Sequence, residues 1–118
     1  MNYSEFQQQY EHDADKEAAS LGRLAPSELV ERVRTGHHGQ HFQIWRAIAQ
    51  RVPLASAGPL LIDVLRSDAE YLTRYHAAAA LLGMLKISDI KAVDLAVAGR
   101  EQRIDAVEAT LRRRLSGG

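Results

Sequence analysis

A chain of 118 residues, 46% hydrophobic and 25% charged, has the size of one globular domain and too much apolar content to stay disordered. Lys plus Arg and Asp plus Glu stand at 15 each, so the cationic surplus that grips phosphate backbones is missing and nucleic-acid binding loses weight as a class. The absence of cysteine excludes disulfides, thiolate zinc sites and a thiol nucleophile.

The start, "MNYSEFQQQYEHDADKE", is neither basic nor followed by an apolar core, so no secretory signal is expected, and a cytoplasmic location follows. Tyr3, Phe6, Tyr10, Ala14, Ala18, Leu21 and Leu24 recur at steps of three and four, which predicts one apolar stripe on an acidic helix over residues 1–24. Gly22 can end it. Pro26 pushes Ala25 out of helical geometry, and Ser27 is the expected N-cap of a short helix holding Leu29, Val30 and Val33.

Gly36 stops that helix, and "GHHG" reads as a turn. A second helix then carries Phe42, Ile44, Trp45, Ile48, Ala49 and Val52 up to Pro53. In "ASAGPLLIDVL", Pro59 suits a helical first turn, so the next helix is expected to open beside it. A long helix follows from about Glu70 to Lys86. Ser88 is the expected N-cap of "SDIKAVDLAVA", Gly99 breaks it, and "REQRIDAVEATLRRRL" forms the last helix before a frayed tail at 116–118. No segment alternates with the two-residue period of a half-buried strand, so the expected fold class is all-α.

Three short-helix/long-helix pairs emerge, over 27–52, 57–86 and 88–115, with a period near thirty. Leu29 aligns with Leu60 and Ile90, and Ala49 with Ala80 and Ala109. Such repeats imply stacked hairpins, none of which can bury its apolar face alone. The segment 58–85, "GPLLIDVLRSDAEYLTRYHAAAALLGML", resembles a HEAT repeat. Its proline-led leucine helix (Pro59, Leu61, Leu65) leads to a turn aspartate (Asp68) and an arginine opening the second helix (Arg74). Small residues (Ala77, Ala78, Ala80) and a Leu82-Gly83 pair complete the pattern. The flanking units keep the rhythm but lack parts of the pattern. The resemblance implies a right-handed α-α superhelix of about three HEAT-like hairpins behind an N-terminal capping helix. It also implies that Asp68 and Arg74 stitch a turn to its neighbouring repeat. In such a stack a second helix lies between others, and the run Ala77–Ala80 would let them approach closely.

Candidate chemistry is sparse. His37, His38 and His41 in "GHHGQH" could hold zinc or nickel, against the simpler reading of solvated loop histidines. His76 reads as a packed histidine, and Glu70 with Arg74 as an ordinary (i, i+4) pair. Arg112, Arg113 and Arg114 make a basic end that suits a helix C-terminus as well as it suits phosphate. No phosphate loop, nucleophile signature or paired-carboxylate motif occurs, so neither a cofactor nor an enzymatic activity is expected.

The expectation is a non-enzymatic protein-binding module. Gln43, Arg46, Tyr71, Arg74, Tyr75 and Arg103 are its candidate partner-facing residues, with Trp45 a further aromatic that reads as core before it reads as an interface anchor. A small bacterial inhibitor of immunity-protein type is the narrower form of that expectation. A HEAT-like nucleic-acid binder using its arginines is the alternative, and a metal-dependent enzyme built on the histidines is the third reading. The acidic first helix opposite the basic last one gives a charge polarity that could steer partners or serve a homodimer.

Overall fold

Seven helices and no strand make up residues 2–117, the part of the chain that the computed structural model describes: α1 (Tyr3–Leu21), α2 (Pro26–Arg34), α3 (Gln43–Arg51), α4 (Leu54–Arg66), α5 (Tyr71–Leu85), α6 (Ala92–Ala96) and α7 (Glu101–Gly117). The ends of the sequence-assigned capping helix and tail, residues 1 and 118, lie outside the described residues. Among the described residues no helix is long and apolar enough to cross a membrane.

Local chemistry sets most of these boundaries. Asn2 caps α1 by accepting from the Glu5 N–H at 2.8 Å, and Gly22 closes it. Ala25 is extended before Pro26, as the proline requires. Ser27 is not the cap, however. Pro26 already occupies the first helical position, and Glu28 reaches back to accept the Ala25 N–H at 2.9 Å.

Three boundaries depart from expectation. α4 begins at Leu54, directly after Pro53, and Pro59 lies inside it rather than in its first turn. A proline in helical geometry clashes with the Cβ of the residue before it. Gly58 has none, so the helix passes through. α6 is capped at Lys91 and spans only Ala92–Ala96, because Asp94 accepts the Lys91 N–H at 3.2 Å and the stretch after Ser88 stays irregular. Ser116 and Gly117 continue α7 rather than fraying.

α2 packs on α3 and α4 on α5, and between these two pairs α2 contacts α4 and α3 contacts α5. α1 lies on α3. The last pair is crossed: α6 packs on α5, whereas α7 packs chiefly on α4. α5 is therefore contacted by α3, α4 and α6. Its Ala77 and Ala78 are fully buried and Ala80 nearly so, while Leu81, Leu82 and Leu85 fill the core beside them. Small side chains let three neighbours approach one helix, which is why its most interior stretch is alanine. At the α4–α7 crossing Gly58 serves the same end, since a Cβ there would sit 2.5 Å from a Leu111 methyl.

Arginines tie the ends together. The last carbonyls of a helix have no intrahelical donor and carry the negative end of its dipole. Arg51 donates to the Leu21 carbonyl at 3.0 Å and to that of Leu24, closing α1. Arg100 donates to Leu65 at 2.9 Å and Ser67 at 3.2 Å, closing α4, and Arg114 to Leu85 at 2.9 Å, closing α5. Arg74 donates to Ala96 through Nη2 at 2.9 Å and Nε at 3.1 Å, and also to the Ala69 carbonyl. The forked guanidinium reaches two carbonyls at once, which a lysine cannot do with fixed geometry.

Candidate functional site

The loop joining α2 to α3 is held by one carboxylate. Glu17 of α1 accepts the N–H groups of Gln40 at 2.8 Å, His41 at 3.1 Å and Gln43 at 3.2 Å, so a side chain from another helix caps the start of α3. Gly39 passes so close that a Cβ would fall 2.3 Å from a Glu17 oxygen, and its φ of +80° independently favours glycine. Phe42 then takes a left-handed conformation (φ 59°) that turns its ring towards α5.

A line of rings results. Tyr10 of α1 meets His41 edge-on at 4.9 Å, Phe42 stacks flat on His76 at 4.1 Å and 12°, His76 meets Tyr75 at 5.5 Å, and Tyr75 lies 6.1 Å from Tyr71. Between α1, α3 and α5 the rings of Tyr10, His41, Phe42 and His76 border a groove of about 510 Å³, floored by Ala49, Ala79 and Ala80 and edged by Gln43 and Arg46. A smaller hollow of about 150 Å³ between α1 and α3 shares Gln43 and Arg46, so the Arg46 guanidinium stands where the two meet. Arg46 is exposed and makes no hydrogen bond or ion pair among the described residues. Burial pushes the His76 imidazole below its ordinary pKa. Among the described residues Arg46 is the one arginine, lysine or carboxylate residue in the groove's lining. The His41 Nδ1 is buried there without a partner.

A second groove of about 410 Å³ opens on the other side, between α2 and α4. Its charged groups, Arg34 and Asp63, are of opposite sign, and Arg34 is already bound to Glu31 at 3.0 Å. It offers neither an aromatic wall of comparable extent nor a free cation.

Of the residues singled out from sequence, Gln43 and Arg46 line the aromatic groove, whereas Tyr75 and Tyr71 lie outside its lining, Tyr75 against His76 and Tyr71 near Tyr75. Arg74 is half-buried, and its guanidinium is committed to the Ala96 and Ala69 carbonyls. This joins the turn before α5 to the end of α6. No ion pair joins Arg74 to Asp68 or Glu70 among the described residues. Arg103 is exposed on α7, which packs chiefly on α4, and is not gathered with the others. Trp45 is buried in the core and shows only an edge to the groove.

The histidine triplet is dispersed. His37 bonds the Thr35 hydroxyl at 2.8 Å, His38 bonds the Val33 carbonyl at 3.1 Å and packs edge-on to Trp45, and His41 turns to Tyr10. Among the described residues, no three His, Asp or Glu groups come together as a metal site. The basic end is likewise engaged: Arg112 lies 3.4 Å from Glu108, Arg113 bonds the Thr110 hydroxyl at 3.1 Å, and Arg114 caps α5.

Sequence reasoning missed Phe42 and His76 as groove residues, because nothing local joins a loop phenylalanine to a histidine in a distant helix. Tyr10 was legible as part of the α1 stripe, but its use was not. Compared with family models, with curated proteins and with solved structures, the chain gives no match.

Proposed function

We propose that this chain is a non-enzymatic protein-binding module, a short HEAT-like right-handed stack whose groove between α1, α3 and α5 takes a segment of another protein. The observation that carries this reading is the set of rings lining the groove, Tyr10, His41, Phe42 and His76, with the exposed Arg46 beside them. Aromatic rings and arginine are the side chains that most often anchor interfaces, and rings give large contact area at little entropic cost. The same-order contacts of α2 with α4 and α3 with α5 support the stack, while the crossed last pair ends it after two regular units.

The nucleic-acid alternative has weaker support, since Arg51, Arg74, Arg100 and Arg114 are bound to carbonyls of the fold. A narrower form of the same reading is a small bacterial inhibitor of immunity-protein type that holds its target in this groove.

Site-specific photo-crosslinking tests the groove. A benzophenone side chain at Ala79, on the groove floor, should form a discrete adduct with a macromolecular partner in cells, and one at Asp63, on the opposite face, should not. Equal adducts from both positions, or none from Ala79, would refute the assignment.

A further inference from the structure

We infer that the partner this groove is shaped for is a second copy of the same chain; the inference rests on the protein-binding reading of the groove and names its occupant. One face of α1 does two different things along its length. Towards its C-terminus Glu17 holds the loop before α3 and Leu21 is buried beside α3. One to four turns earlier the same face presents Tyr3, Phe6 and Tyr10, which are 80%, 59% and 44% exposed. The first half of α1 therefore overhangs the body as an aromatic ridge without a partner, and Tyr10 at its inner end already forms one wall of the groove. The molecule is correspondingly long, 49 × 32 × 25 Å, with a radius of gyration of 15.0 Å. A compact chain of this length has about 13.5 Å.

The two unsatisfied features are complementary. The ridge is aromatic and flanked by acids; the groove is aromatic and carries one free cation, Arg46. α1 holds five acidic groups against one lysine, a net charge of −4, so the remainder of this neutral chain is +4. Glu17 is occupied by the loop, but Glu5, Glu11 and Asp15 are exposed. One copy supplies both ridge and groove, so two copies related by a two-fold axis seat each ridge in the other's groove and leave no open end. In that arrangement Tyr3 and Phe6 cover the Phe42 and His76 rings of the opposite copy, and the acids of α1 face its Arg46.

Sedimentation velocity between about 1 and 200 µM reads this directly. Wild type should form a dimer that does not grow further. The Tyr3→Ser/Phe6→Ser variant should be monomeric, and Arg46→Glu should weaken association by at least about ten-fold. Leu115→Ser, at an exposed apolar position on α7, should change nothing. All the altered side chains are exposed, and circular dichroism confirms that each variant is folded. The decisive arm is a mixture: a Tyr3→Ser/Phe6→Ser chain keeps a good groove and an Arg46→Glu chain keeps a good ridge. Mixed, they should therefore pair more tightly than either does alone, through one intact seat. A mixture no tighter than its components overturns the inference, as does a dimer indifferent to Tyr3 and Phe6. Wild type that is monomeric throughout also overturns it, but leaves the groove open to a different protein, which the crosslink at Ala79 then reads.

Discussion

Replacing Gly58 by alanine sets helix propensity against packing. In a helix interior alanine is favoured over glycine by about 1 kcal/mol, so a reading from propensity alone predicts a more stable protein. The structure predicts the reverse. A Cβ at this position would stand 2.5 and 2.7 Å from the two methyls of Leu111 and 3.2 Å from its Cγ. Leu111 is buried at the α4–α7 crossing and cannot swing into solvent, so the added methyl overpacks the seam at a cost of about 1–3 kcal/mol. The same methyl meets Pro59, which disfavours helical geometry in any residue with a Cβ before it. The net expectation is a loss of about 1 kcal/mol, seen as a fall of roughly 4 °C in Tm by thermal unfolding. In a Leu111→Ala background, itself destabilised by about 2–5 kcal/mol, the crowding is gone, and Gly58→Ala should lower stability far less or raise it. A Tm that rises in the wild-type background, or a double-mutant cycle with no coupling, would show that α4 and α7 do not meet so closely.

Other expectations rest on separate features. Glu17→Ala leaves three N–H groups at the start of α3 without their acceptor and should cost about 2 kcal/mol in urea unfolding, with Glu17→Gln costing about half as much. Ala78→Leu, at a fully buried position among α3, α4 and α6, should cost about 1–3 kcal/mol, whereas Ala79→Leu, facing the groove, should cost almost nothing; equal effects would contradict the enclosed face of α5. The folded protein holds His76 below its ordinary pKa, so the unfolded chain takes up that proton first as pH falls. Stability from this group is complete above about pH 6.5 and declines as pH drops through the lowered value. The wild-type urea midpoint should therefore fall more between about pH 7 and pH 5 than that of His76→Phe, which keeps the stack on Phe42 without the titration. Arg100→Met should lower Tm by a few degrees through the freed Leu65 and Ser67 carbonyls, and Arg103→Met should not.

Periodicity and local capping chemistry were enough to find α1, α2, α3, α5 and α7 within a few residues, because a helix forms wherever apolar groups recur at its own pitch between residues that stop it. The alanines of α5 could be read as a closely approached face for the same reason. Even so, "AGPL" was misread as a helix start. A glycine before a proline looks like a break until one knows that Leu111, far along the chain, fills the space where a Cβ would be. The arginine-rich end suits a helix C-terminus or, as the alternative, a phosphate surface, and spacing does not reveal that Arg51, Arg74, Arg100 and Arg114 close helix ends 22 to 35 residues away, as with Arg74 on Ala96 and Arg100 on Leu65.

The groove shows the same division. Gln43 and Arg46 could be placed on one face of α3 from spacing alone. The stacking of Phe42 on His76 required the left-handed turn at Phe42 and the Glu17 clamp that holds it. Apolar spacing says that a helix has a face to cover and leaves open what covers it. For α1 the residues from Tyr3 to Leu21 form a single stripe in the sequence, and tertiary contact divides it into a half seated on α3 and a half exposed to solvent. That division depends on where α3 and its loop end in space, a distance set by packing between segments rather than by the order of residues within one.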